Sequence, residues 1–230
     1  AVDFNRFFGK KFYGNTSNIY ALSKKKSKLN FAKYCKKLNL LGLKTIKYNS
    51  NIFSNLIENS IKTDEKILNY FKFKKYIIQK IKKSKNINLK LGKNILNENL
   101  DNYDKIIICT YSNNNILLSK LGVKKSSLRT KRYELVEKIV VKLPKELKKT
   151  SLVILDGNFL NFDPFLTTSY HLLSVVKEAK IEIIKKKFPI FKSSEKKFLK
   201  YRFIKNLKKS NFKKFIELGE KFVPLLSKAR

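Results

Sequence analysis

The chain has no methionine and no tryptophan, a single histidine and only two cysteines in 230 residues. One histidine, His171, leaves a metal site to carboxylates or thiols, and their sequence spacing forms no ligand pattern. Two cysteines, Cys35 and Cys109, lie far apart, one in a helical pattern and one in a strand pattern. They read as buried free thiols in a reducing compartment rather than a disulfide framework. No uncharged apolar run approaches the roughly 20 residues a membrane helix needs. The opening Ala-Val-Asp-Phe-Asn-Arg-Phe-Phe lacks the positive-then-apolar layout of a secretory signal, so a cytoplasmic location and no membrane partner are expected. No serine stands in a Gly-x-Ser-x-Gly elbow, and neither cysteine has a histidine nearby, which weakens hydrolase readings. The missing methionine adds the expectation that the chain is part of a longer one.

Positive charge is abundant. The formal net charge is +36 and hydrophobic residues make up 43% of the chain; the latter gives enough apolar surface for a real core. A sequence pI near 10.1 meets the first criterion for a nucleic-acid binder. The kind of base argues the other way: arginine occurs only at Arg6, Arg129, Arg132, Arg202 and Arg230, whereas base readers and phosphate clamps favour the guanidinium fork. The lysines are spread along the chain with Asn, Ile, Phe and Tyr, the bias of an A/T-rich coding genome. The charge is therefore read as compositional, and nucleic acid is not expected as a partner.

Periodicity predicts an extended segment over residues 13–23 and a helix from Ser27, with Phe31, Tyr34, Cys35 and Leu38 on one face and Gly42 closing it. Residues 46–61 are Asn-rich and predicted as loop. A second helix is predicted over residues 70–83, with Phe73, Tyr76, Ile77 and Ile81 inward. Ile87, Leu89 and Leu91 alternate and predict a strand ending at Gly92. The run Lys105-Ile106-Ile107-Ile108-Cys109-Thr110, entered through Tyr103-Asp104, has the pattern of a central parallel strand with ligand chemistry at its carboxyl end. Residues 132–143 alternate and predict one strand stopped by Pro144. Leu152-Val153-Ile154-Leu155 is a strand meeting the hairpin dipeptide Asp156-Gly157. Strands over residues 158–165 and 170–176 surround turns at Asp163-Pro164 and Thr167-Thr168, and the pattern is helical from Ser193, with Phe212, Phe215, Ile216 and Phe222 on one face, Gly219 interrupting and Pro224 bending it.

Residues 9–16, Gly-Lys-Lys-Phe-Tyr-Gly-Asn-Thr, fall one residue short of a phosphate-binding loop, because Asn15 stands where that loop needs lysine and no hydrophobic strand precedes it. Asn15-Thr16-Ser17 is formally a glycosylation sequon, of little meaning without a secretion signal. His171 either forms an acid/base couple with Asp156 or Asp163 or is a structural histidine on a half-buried strand. Phe159, Phe162, Phe165 and Tyr170 are either an aromatic wall for a planar ligand or ordinary core.

Several ordered segments carry a resemblance: Tyr133-Glu134-Leu135-Val136-Glu137, Val141-Lys142-Leu143-Pro144-Lys145-Glu146-Leu147, Val153-Ile154-Leu155-Asp156-Gly157-Asn158-Phe159, and Pro164-Phe165 on to His171-Leu172-Leu173-Ser174. Together with Tyr20-Ala21-Leu22-Ser23, the helix from Phe31, Tyr70-Phe71-Lys72 and Leu89-Lys90-Leu91-Gly92, they resemble FAD-dependent oxidoreductases of the D-amino-acid-oxidase class, in a bacterial branch. The Tyr103–Tyr111 segment matches that family's Tyr-Asp-x-Val-x-Asn-Ala-Thr. The resemblance spans about residues 12 to 180.

The resemblance implies an α/β, mixed α+β fold: a partial FAD-binding Rossmann-like domain, an antiparallel-sheet substrate domain and C-terminal helices. It implies FAD as cofactor, a small-molecule amine or amino-acid-like substrate, and hydride transfer to flavin. Residues 1–60 would belong to the substrate or cap region, 61–125 to the later part of the FAD-binding domain, 126–190 to the substrate domain and 191–230 to a helical segment. Cofactor contacts fall on Ile95, Thr110 and Tyr111, the last where many relatives have glycine. Substrate contacts fall on Arg132, Tyr133, Tyr170 and His171, with Arg132 suited to a carboxylate; no catalytic residue and no metal site is implied. The absence of any GxGxxG is expected to reflect a missing N-terminal part, leaving a fragment that is inactive alone. The alternatives are a basic RNA-associated protein and a scaffold that has lost its cofactor.

Overall fold

The computed structural model describes residues 2–24, 27–156, 159–200, 204 and 210–230. The helices are α1 (Val2–Phe8), α2 (Phe31–Leu40), α3 (Tyr70–Lys83), α4 (Asn114–Lys120), α5 (Ser193–Lys196) and α6 (Phe212–Glu220). The strands are β1 (Ser17–Ser23), β2 (Thr45–Lys47), β3 (Ile57–Thr63), β4 (Lys131–Val136), β5 (Ile139–Val141), β6 (Thr150–Leu155), β7 (Leu160–Pro164), β8 (His171–Val175) and β9 (Lys180–Lys186). The fold is mixed α/β. Its chain forms two compact units, one from Ala1–Ser84, Glu137–Ala179 and Lys209–Arg230, the other from Lys85–Val136 and Lys180–Lys208.

The first unit is built on a seven-stranded sheet in the order β2-β3-β1-β6-β7-β8-β5. It is mixed rather than antiparallel: β1 runs parallel to β6, and the other pairs are antiparallel. Strand alternation sends Ile19 and Ala21, Leu152 and Ile154, Leu160 and Phe162, and Leu173 and Val175 to one face, where each is at most 2% exposed. That face packs against Phe215 of α6, Leu226 of the 3-10 turn Pro224–Lys228, and Phe222 and Val223 between the two. Each fully buried side chain of this size contributes about 1.5–3 kcal/mol. Gly219 sits inside α6 because a Cβ there would stand 2.6 Å from Leu226 Cδ1.

Helix α2 starts where Asn30 accepts a hydrogen bond from Lys33 N at 3.0 Å, a side-chain N-cap. It ends as expected at Gly42, whose φ of 83 lets Gly42 N donate to Asn39 O and Leu43 N to Leu38 O, closing the helix in a Schellman motif. Helix α3 has the predicted bounds and is capped by Asn69. Its Phe73 meets the rings of Phe4, Phe8 and Phe12 at 5.0–5.3 Å.

The structure departs from the sequence reading at several elements. Residues 46–61, predicted as loop, contain β2 and most of β3, which form because β3 finds the edge of β1. The single strand expected over residues 132–143 is two strands in different sheets, β4 with β9 and β5 with β8. The break falls at Glu137, whose carboxylate accepts from Ser210 Oγ at 2.6 Å and Asn211 N at 3.0 Å. Strand β9 was not anticipated. Asp163 and Pro164 close β7, paired with Leu172 and His171, rather than forming a turn. Residues 87–91 form no strand. Residues 105–110 form none either: Ile107 is 88% exposed, and Cys109, expected to be buried, is exposed. An apolar run becomes a central strand only with neighbours on both edges, and no ladder reaches this one among the described residues. Gly157 and Asn158 of the expected hairpin turn lie outside the described residues; the flanking β6 and β7 pair antiparallel as that turn requires.

Candidate functional site

The second face of the large sheet is polar. Cross-strand pairing aligns Thr63, Asn18, Ser151 and Asp163 in one row, and Tyr20, Val153, Asn161 and Ser174 in the next. Asn18, Ser151 and Ser174 are buried despite their polarity, which requires internal partners. Ser151 Oγ donates to Asp163 Oδ1 at 2.6 Å, and Asn161 Nδ2 to Asp163 Oδ2 at 3.2 Å. Asn18 Nδ2 donates to Glu65 O, and Tyr20 OH to Glu65 Oε2. A cleft of about 140 Å³ opens among Asn18, Tyr20, Glu65, Lys66, Ser151 and Asp163.

Electrostatics set the protonation of this row. Burial, with the Glu65 carboxylate adding to it, pushes the Tyr20 phenol well above its ordinary value; Tyr20 stays a neutral donor. Tyr34 of α2, whose ring lies 6.1 Å from that of Tyr20, is raised for the same two reasons. Glu65 and Asp163 form no ion pair among the described residues, where the salt bridges converge on Glu134 instead. Two carboxylates and a phenolic donor facing a small cleft can receive a cationic, hydrogen-bonding group such as an ammonium.

His171 lies on the opposite face, because it pairs with Pro164 and Val141 while Asp163 pairs with Leu172. It is 2% exposed, edge-on to Phe162, and neither ring nitrogen has a well-formed hydrogen bond. Burial lowers its pKa, opposed by the Leu147 backbone and the Asp163 charge. Asp156 instead accepts from Ser27 Oγ and Leu29 N. Tyr170, the residue before His171, is exposed. Of the four aromatic residues considered together, Phe162 is core, Phe159 is exposed and Phe165 packs on Phe71.

The remaining sequence candidates belong to the second unit. Arg132 on β4 is engaged by Glu134 at 2.7 Å, and Tyr133 is buried with its hydroxyl on Lys187 O. Thr110 Oγ1 donates to Asn114 Oδ1 at 2.9 Å. Lys120 Nζ gathers the carbonyls of Ile95, Leu96 and Glu98 and fixes the turn that carries Ile95. Tyr111 is 91% exposed with a φ of 52, a left-handed conformation that glycine adopts without strain.

The polar row itself was missed from the sequence, although its signal is there. Asn18 and Tyr20, Ser151 and Val153, and Asn161 and Asp163 are each two apart, and so share a face on each strand. No family model, no curated protein and no solved structure matches this chain.

Proposed function

We propose that the chain is part of an FAD-dependent oxidoreductase acting on an amine or amino-acid-like substrate, with the mixed sheet as its substrate-binding scaffold. The observation that carries this reading is the gathering of the resembling segments. Those around Tyr20, Val153, Pro164 and His171 fall on neighbouring strands β1, β6, β7 and β8, and one face of that sheet carries an acidic, hydrogen-bonding row. A second support is Tyr111, which takes a left-handed φ at the position where the resembling family has glycine.

In this reading Asp163 and Glu65 receive the substrate ammonium, and Tyr20 holds the Glu65 carboxylate in place by donating its hydroxyl proton to it. The turns carrying Ile95 and Thr110-Tyr111 would offer backbone contacts to FAD, which supplies hydride acceptance when bound. The sequence has no Gly-rich pyrophosphate loop, so the chain by itself is expected to bind FAD weakly.

The test is to sequence the DNA upstream of the Ala1 codon and to express the whole reading frame. The expected result is a GxGxxG after a hydrophobic strand and a purified protein with flavin absorbance that amines bleach. Asp163→Asn should then raise KM for the amine at least about tenfold while flavin content is retained. A start codon immediately before Ala1, or a full-length protein free of flavin that binds RNA with a steep salt dependence, would overturn the reading.

A further inference from the structure

We infer that the groove beside the polar row, a cavity of about 490 Å³ lined by Asn15, Thr16, Ser17, Lys44, Lys62 and Lys149 among others, is a binding site for a phosphoryl group carried on a small molecule. The inference is independent of any flavin chemistry. Three lysines and one carboxylate, Asp64, face this volume. Asp64 Oδ1 already accepts from Lys44 N at 2.8 Å, and the Lys62 ammonium lies 4.3 Å from the Tyr48 ring centroid. Lys44 and Lys149 are exposed and form no ion pair among the described residues. They are the cations left to meet an anion.

Part of the polar lining is Asn15 and Thr16, the end of the 9–16 segment, which falls one residue short of a phosphate loop and here lies between helix α1 and strand β1. That segment lacks its lysine at Asn15, and the fold supplies lysine from elsewhere: Ser17 N donates to Lys149 O at 2.8 Å, tying the loop's end to the residue before β6. The volume is that of a whole small-molecule site rather than a single ion, and Ile46 gives it an apolar wall. Both features favour a phosphomonoester over free phosphate.

The experiment follows the backbone amide NMR signals of residues 15–18 during titration with inorganic phosphate, glycerol phosphate, acetate and chloride at constant ionic strength. Saturable shifts with glycerol phosphate at several-fold lower concentration than inorganic phosphate are expected. Equal affinities would overturn the assignment to a phosphoryl group carried on a small molecule. Lys44→Gln and Lys149→Gln should each weaken binding at least about tenfold, while Lys75→Gln on helix α3, outside the cavity lining, should not. Both target side chains are exposed, and retained amide dispersion confirms folding of each variant. No saturable shift at residues 15–18, an equal response to acetate or chloride, or equal weakening by Lys75→Gln would overturn the proposal.

Discussion

Replacing His171 by leucine should stabilise the protein, an unusual outcome for a fully buried position. The imidazole is sealed in the apolar face of the sheet with neither nitrogen well hydrogen-bonded. Two unmet polar atoms cost about 1 kcal/mol each at the low end of the usual range. The edge-on contact with Phe162, 6.1 Å between centroids, returns about 0.5–1.5 kcal/mol that leucine would lose. The net expectation is a gain of about 1 kcal/mol near pH 8, where the histidine is neutral in both the folded and the unfolded chain. Burial lowers the folded pKa, so as pH falls below about 6.5 the unfolded chain takes up a proton that the folded chain refuses. Wild-type stability therefore declines through that window, flattening once the folded pKa is passed, and the leucine variant lacks this component. Urea denaturation followed by circular dichroism, at about pH 8 and about pH 5.5, reads both effects as shifts in midpoint at constant slope. A variant destabilised by more than about 1 kcal/mol at both pH values would show that a nitrogen of His171 has a strong partner, with the Leu147 backbone as the first suspect, and would refute the reasoning.

Three further outcomes are expected. Gly219→Ala should destabilise by about 1–2 kcal/mol in the same urea assay, because the 2.6 Å approach to the buried Leu226 costs more than the alanine's helix propensity returns. Glu137→Ala should cost about 1–3 kcal/mol by leaving Ser210 Oγ and Asn211 N without their carboxylate, with Glu137→Gln recovering part of it; equal effects would contradict the hydrogen-bond account. Tyr20 has its folded pKa raised, so its contribution is complete below about pH 10 and is lost as pH rises beyond it. Tyr20→Phe should flatten that alkaline decline, measured by thermal melts across the range.

What the sequence disclosed and what it withheld divide along the range of the interactions. Helix α3 was legible to the residue because its cap at Asn69 and its apolar stripe through Phe73, Tyr76 and Ile77 are local. Strands β6, β7 and β8 were legible from short apolar runs separated by turn residues. Strand β3 was not, since Ile57-Glu58-Asn59-Ser60-Ile61 has little strand propensity and forms through pairing with β1. The alternation from Arg132 to Leu143 puts Tyr133, Leu135, Glu137, Ile139, Val141 and Leu143 on one side, of which Tyr133, Leu135, Val141 and Leu143 are buried, yet it could not reveal that Glu137 breaks the ladder to hold the segment before α6. The polar row needs four strands in register, information that no single segment contains. Opposite faces for His171 and Asp163 follow from the β7–β8 register, which is equally invisible in sequence.

The parallel pairing of β1 with β6 sets Ser17 beside Thr150, a closure of about 130 residues whose logarithmic entropy term alone is about 4 kcal/mol, roughly 2 kcal/mol more than that of a ten-residue loop. On the ribosome β1 emerges long before β6, and of its two sheet neighbours only β3 is available early. Its other edge waits, unsatisfied, while the chain through residue 149 is made. Folding should therefore be slow for the chain's length, and the interval between the making of β1 and of β6 is the stage most exposed to edge-to-edge aggregation.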